Sequence, residues 1–162
     1  MLEQLAASDE GGRAIEIGAC VDDGHPGGNS LETHWHAGTD PQYARGMIVG
    51  GKWDQVVLQD IYRIEEAAFR PYARKFHELI QATGAKTVLF GTASVLRDYP
   101  AGFERLHGMH LAMGRELRVP VVDASYAYFR YFGKIRRPTD SKASSILTAP
   151  IQARGVPIST PA

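Results

Sequence analysis

The sequence predicts a single α/β domain with a parallel sheet, because short apolar segments alternate with helical patterns along the chain. Apolar, β-branched segments predict four strands, near residues 14–21, 54–59, 86–92 and 119–123. Their apolar character is almost continuous, which is typical of strands covered by helices on both faces. Short strand–helix–strand connections form right-handed crossovers, and such crossovers join parallel strands.

The helices between these strands are predicted from apolar spacings of three and four and from the residues that start or stop a helix. An Asp-Pro pair at 40–41 predicts the start of a helix that the glycines at 50–51 end. A second helix is predicted over 69–80. Pro71 would lie in its first turn or at a kink, and Gly84 would close it.

The last predicted helices and a change in composition after residue 133 define the domain organisation. An apolar stripe predicts a third helix over 103–117, and a short aromatic helix over 126–132 is predicted to end at Gly133. Residues 1–133 therefore predict one domain. Residues 134–162 are rich in Pro, Ser, Thr, Ala and Arg without apolar periodicity, so an irregular or disordered tail is expected.

Composition excludes several classes of protein. The 18 basic and 18 acidic side chains cancel, so the net charge gives no reason to expect a nucleic-acid partner. No apolar run approaches the ~20 residues that span a bilayer. The chain as it stands shows no signal peptide; its location is left undetermined, with cytoplasmic as the default expectation. Its single cysteine, Cys20, excludes an intrachain disulfide, and its apolar surroundings predict a buried thiol without a neighbouring base.

A ligand site in an open parallel sheet lies at the carboxyl ends of the strands. The loop after the first predicted strand contains Gly27, Gly28, Asn29 and Ser30, whose backbone N–H groups could face an oxyanion. A flexible turn is the alternative interpretation of this composition. Gln59 and Asp60 lie at the end of the second predicted strand and are candidate site residues for the same reason.

Two further hypotheses concern single side chains. Ser30 could be a nucleophile, although nine loop residues separate it from the predicted strand, and it could instead cap the next helix. His34 and His36 form an H-x-H pair that would share one face only on a strand, and on a helix they diverge. We expect no metal site and no cofactor.

Four segments carry a family resemblance: Gly-Gly-Asn-Ser-Leu-Glu-Thr-His-Trp at 27–35, Gly-Lys-Trp-Asp-Gln-Val-Val-Leu-Gln at 51–59, the helical segment from Phe69 to Gly84-Ala85-Lys86, and Val-Pro-Val-Val-Asp at 119–123. Together with the order of the segments, they resemble a bacterial branch of the SGNH/GDSL hydrolase superfamily, over residues 1 to about 133. The resemblance implies a flavodoxin-like three-layer α/β/α fold. It also implies a serine nucleophile after the first strand and an Asp-x-x-His pair near the C-terminus.

Carried over to this chain, the resemblance assigns the oxyanion glycine to Gly27 or Gly28 and the third family block to residues 59–62, with Gln59 and Asp60. Residues 1–7 resemble the helix that follows the nucleophile, so the first strand and its serine are expected to be missing. No Asp-x-x-His occurs after Gly133.

The resulting prediction is an ester or acetyl-ester hydrolase domain, impaired or inactive as it stands. Its expected substrate is a small acyl ester or an acetylated carbohydrate. A non-catalytic remnant or binding module of the same fold is the first alternative, and a metal-dependent enzyme using His34 and His36 is the second. The missing strand would leave an unpaired sheet edge or a gap beside the site, which predicts low stability or self-association.

Overall fold

A computed structural model describes residues 16–20, 29–94 and 98–135. In chain order the elements are α1 (Leu31–His36), α2 (Ala44–Gly50), β1 (Gln55–Gln59), α3 (Glu66–Ala82), β2 (Lys86–Gly91), α4 (Ala101–Leu117), β3 (Val121–Asp123) and α5 (Ala124–Ile135). None of the helices in these ranges is long and apolar enough to cross a membrane. The predicted tail, apart from its first two residues, lies outside the described residues.

The three described strands form one parallel sheet in the order β1-β2-β3. Val57 pairs with Val88 across the first ladder, and Leu89 pairs with Val121 across the second. The sheet is flanked by helices, an arrangement consistent with a three-layer α/β/α fold. The predicted fold class is therefore confirmed.

The core lies between the sheet and helices α3 and α4, which cross over from one strand to the next. Both helices carry an apolar stripe, so each buries one side and leaves the other to water. The most deeply buried large side chains of this core are Phe69, Phe76, Ile80, Leu89, Leu106 and Met113. Leu58 and Leu89 alternate with side chains that point to the opposite face, as the pleat of a strand requires.

The prediction of a strand at 14–21 is wrong for the residues that can be compared. Residues 16–20 belong to no strand, and residues 16–19 are exposed. A side chain at Gly18 would come within 2.5 Å of the Trp53 ring, so this segment passes against an indole rather than along a ladder. The described sheet consequently has three strands where four were predicted.

Helix starts differ from the predictions at two prolines. The helix predicted from Asp40 begins at Ala44, because the Tyr43 N–H bonds to the Asp40 carbonyl at 2.9 Å in a preceding turn. Pro71 lies inside α3 rather than in its first turn, since that helix begins at Glu66.

The glycines predicted to end α3 and α5 behave differently. Gly84 adopts φ +84°, a left-handed conformation that glycine tolerates, and it follows the end of α3 as predicted. The predicted stop at Gly133 is wrong, because α5 continues to Ile135. A single glycine costs a helix only about 1 kcal/mol relative to alanine, which does not end it.

Candidate functional site

Polar residues meet at the carboxyl ends of the strands. Asp60 directly follows β1, Thr92 directly follows β2, and Asp123 is the last residue of β3. The Thr92 hydroxyl donates to the Asp60 carbonyl oxygen at 2.6 Å and so joins two of these strand ends. The carboxyl ends of the strands, where the sequence predicted the site, therefore do carry polar side chains.

Asp60 is a buried carboxylate, with only 2% of its surface exposed. Its Oδ1 accepts a hydrogen bond from the Ile61 N–H at 2.7 Å, whereas Oδ2 has no hydrogen-bond partner within the described ranges. Burial raises the pKa of Asp60 to about 6, against the lowering effect of the N–H groups of Ile61 and Leu31; Glu32 raises it further. A carboxyl perturbed in this way at a strand end is a candidate functional group.

Ser30 is the N-cap of α1. Its Oγ accepts from the Thr33 N–H at 3.1 Å and lies 2.9 Å from the Thr33 hydroxyl, and the residue is only 6% exposed. The capping alternative is therefore confirmed. Within the described residues, the hydroxyl of Ser30 has no histidine side chain among its hydrogen-bond partners.

The structure brings some of the predicted site residues together. Leu31 and Glu32 both influence the Asp60 carboxyl, so the turn at Ser30 lies against the end of β1. Asn29 begins this turn and is partly exposed. Gln59 is exposed and alternates with Leu58, so its side chain lies on the opposite face of β1 from the core. Gly27 and Gly28 lie outside the described residues.

His34 and His36 diverge, because the segment that carries them is helical. His34 is buried, with Nδ1 3.9 Å from the Cys20 sulfur, whereas His36 is exposed and bonds the Tyr72 hydroxyl at 2.9 Å. The described residues contain no group of three or more His, Cys, Asp or Glu side chains placed to hold a metal ion. An H-x-H pair used jointly would require the strand geometry that this segment lacks.

The surroundings of the Cys20 thiol differ from those predicted. Cys20 is partly exposed rather than buried, because the segment around it is not part of the sheet. The imidazole of His34 is a neighbouring base that the sequence did not reveal, since 14 residues separate the two.

An Asp–His pair at the end of β3 was also missed. Nδ1 of His107, in α4, forms a hydrogen bond with Oδ2 of Asp123, whose Oδ1 accepts from the Tyr126 N–H at 2.8 Å. The His107 ring stacks on the Tyr126 ring, with 4.8 Å between centroids. The carboxylate and the stacked Tyr126 ring together fix the orientation of the imidazole. The only sequence signal was an aspartate that ends a strand and precedes a helix.

His110 belongs to the core, as its place on an apolar stripe predicts. It is 1% exposed, and Nδ1 bonds the Leu106 carbonyl at 2.8 Å while Nε2 has no partner in the described part of the chain. Burial lowers the pKa of His110, which favours its neutral form. The ring lies beside Gly91 at the end of β2.

The described surface also has an open depression, at the amino ends of the strands. Its lining includes Trp53 and Thr83 and the first residues of β1 and β2, Gln55 and Lys86. It therefore lies at the opposite end of the sheet from Asp60.

Comparison with known proteins gives no relative: no family model, no curated protein and no solved structure matches the chain. The resemblance to SGNH hydrolases therefore rests on the short blocks of sequence alone.

Proposed function

We propose that the chain is an SGNH-type α/β domain with little or no ester hydrolase activity as it stands. Acyl transfer by a serine requires a base within hydrogen-bond reach of the hydroxyl. The observation that carries the proposal is the hydroxyl of Ser30, which is bonded to the backbone and side chain of Thr33 at the start of α1. A hydroxyl engaged in this cap stabilises a helix.

The substrate class of the proposal follows from the resemblance. A small acyl ester or an acetylated carbohydrate is the expected ligand. It would meet the sheet at the strand end that carries Asp60, in keeping with the general position of ligands in open parallel sheets.

A non-catalytic binding module is the second candidate, and one feature favours it. Asp60 has a buried carboxylate oxygen without a partner in the described structure, next to the turn that begins α1. An oxygen of this kind can accept a hydrogen bond from a ligand hydroxyl without any chemistry taking place.

The test is hydrolysis of p-nitrophenyl acetate by the purified chain, by Ser30→Ala and by Thr33→Val. Thr33→Val is the matched control, because it removes a hydroxyl from the same cap and leaves Ser30 in place. We expect all three to release p-nitrophenol no faster than heat-denatured protein. Robust turnover that Ser30→Ala abolishes and Thr33→Val preserves would make the chain a serine esterase and refute the proposal.

The proposal includes self-association through an unpaired edge of the sheet. The described sheet ends at β1, which pairs with β2 alone among the described strands.

A further inference from the structure

Strand β1 has one edge that no described strand occupies. The Lys86 N–H bonds to the Asp54 carbonyl at 3.0 Å, which fixes the alternation of backbone groups along β1. The backbone groups of residues 54, 56 and 58 therefore point to β2, and those of Gln55, Val57 and Gln59 point away from it. These outward N–H and C=O groups form a row that another strand can pair with.

The chemistry of this edge lacks the usual protection against pairing. Natural edge strands carry lysine, proline, a bulge or an inward charge that discourages a second strand. Strand β1 reads Gln-Val-Val-Leu-Gln, with no charge and no proline, and it pairs with β2 without a bulge. Val57, at its centre, is 57% exposed.

We propose that β1 pairs antiparallel with β1 of a second copy of this chain, about a two-fold axis at Val57. This deepens the self-association proposed above and does not depend on the hydrolase assignment. The two-fold axis places Val57 opposite Val57 and Gln55 opposite Gln59 of the other copy. Each of these residues then donates one backbone hydrogen bond and accepts one.

A second copy is the occupant that the sequence of β1 fits. The strand has glutamine at both ends and valine in the middle, so reversal of its direction matches amide with amide and apolar with apolar. Such a self-complementary patch closes into a symmetric dimer. The chain has a net charge of +0, so two copies have no long-range repulsion to overcome, although the same register sets Asp54 opposite Asp60 of the other copy just beyond the strand ends.

The first experiment measures the dissociation constant by sedimentation of the whole chain over a concentration series. We expect a monomer–dimer equilibrium in the unmodified protein. Val57→Lys places two like charges at the axis, so we expect it to weaken the dimer at least about tenfold. Val122→Lys is the matched control: Val122 is 52% exposed on the same sheet face but on the other outer strand, and dimerisation should be unchanged.

The second experiment tests the register with two double variants, each checked for native secondary structure by circular dichroism. Gln55→Lys with Gln59→Glu sets opposite charges against each other in the antiparallel pair and should dimerise at least as tightly as the unmodified chain. Gln55→Glu with Gln59→Glu sets like charges against each other and should be monomeric.

The proposal is overturned by any of three results. One is an unmodified chain that is monomeric throughout the series, as when another segment of the chain covers the edge. Another is a dimer that Val122→Lys weakens as much as Val57→Lys does. The third is dissociation of the double variant that combines Gln55→Lys with Gln59→Glu, because the proposed antiparallel register sets opposite charges against each other. None of these results bears on the esterase assay, so the two proposals fail separately.

Discussion

The buried carboxyl of Asp60 makes the stability of the fold depend on pH in a direction that can be calculated. Its pKa is raised from the ordinary 3.8 to about 6, mainly by burial. The folded chain therefore keeps a proton at pH values where the unfolded chain has released it. The contribution of Asp60 to stability is then greatest below about pH 4, falls as the pH rises, and levels off once the pH has passed about 6.

The magnitude follows from the shift. Roughly two pKa units correspond to about 3 kcal/mol of unfolding free energy lost between the two plateaus. Replacement of Asp60 by Asn keeps an oxygen that can accept from the Ile61 N–H and removes the ionisable group. We therefore expect Asp60→Asn to be more stable than the unmodified chain at pH 7, and to lose that advantage below about pH 4.

The assay is urea unfolding of both proteins at half-unit steps from pH 4 to pH 8. Subtracting the unfolding free energy of the unmodified chain from that of Asp60→Asn removes the effect of groups that titrate in both proteins. One such group is Glu116, whose pKa is lowered by the guanidinium groups of Arg74 and Arg70. Asp54→Asn, at an exposed position at the other end of β1, is the matched control for the Asp-to-Asn change itself. A free-energy difference between Asp60→Asn and the unmodified chain that does not change with pH would refute the buried Asp60 carboxyl with a raised pKa.

Two further predictions concern α4 and the thiol. Gly108→Ala should raise the unfolding free energy by about 0.5–1 kcal/mol, because nothing lies within 4 Å of the added methyl. Gly114→Ala in the same helix should lower the unfolding free energy by about 1–3 kcal/mol, because its methyl would strike the side chain of Val121. Both variants are measured by the same urea titration, and equal effects at the two sites would contradict the packing of α4 on β3. Cys20 should react with iodoacetamide in the folded chain, and His34→Gln should slow the reaction several-fold at pH 7, since an imidazole 3.9 Å from the sulfur can accept its proton. An unchanged rate, with unchanged circular dichroism, would show that the imidazole does not act on the thiol.

Features that depend on near neighbours in the sequence were predictable. The stop after α3 required only Gly84, whose φ of +84° is accessible to glycine. The cap of α1 required only a serine and the N–H three residues later, which Ser30 and Thr33 supply. The strand at 54–59 required only an apolar run between polar residues.

Pairs formed by tertiary packing were not predictable from the sequence. Cys20 and His34 are 14 residues apart, and His107 and Asp123 are 16 apart, so no short motif connects either pair. The two residues of each pair come into contact only because tertiary packing brings together the segments that carry them. The buried state of Asp60 had the same origin, because it depends on the turn before α1 and on the loop after β2.

An apolar run in the sequence does not show which face of a strand is covered by the rest of the protein. The continuous apolar runs predicted strands covered on both faces, and Leu58 and Leu89 do face the core. Val57 and Val122 lie on the other face and are more than half exposed, so the helices of the described chain do not account for their being apolar. A solvated edge strand normally carries charges at such positions, because an uncharged one invites pairing. The proposed pairing of β1 with a second copy would cover Val57, so Val57→Lys is expected to separate the two copies; it does not account for Val122, which lies on the other outer strand.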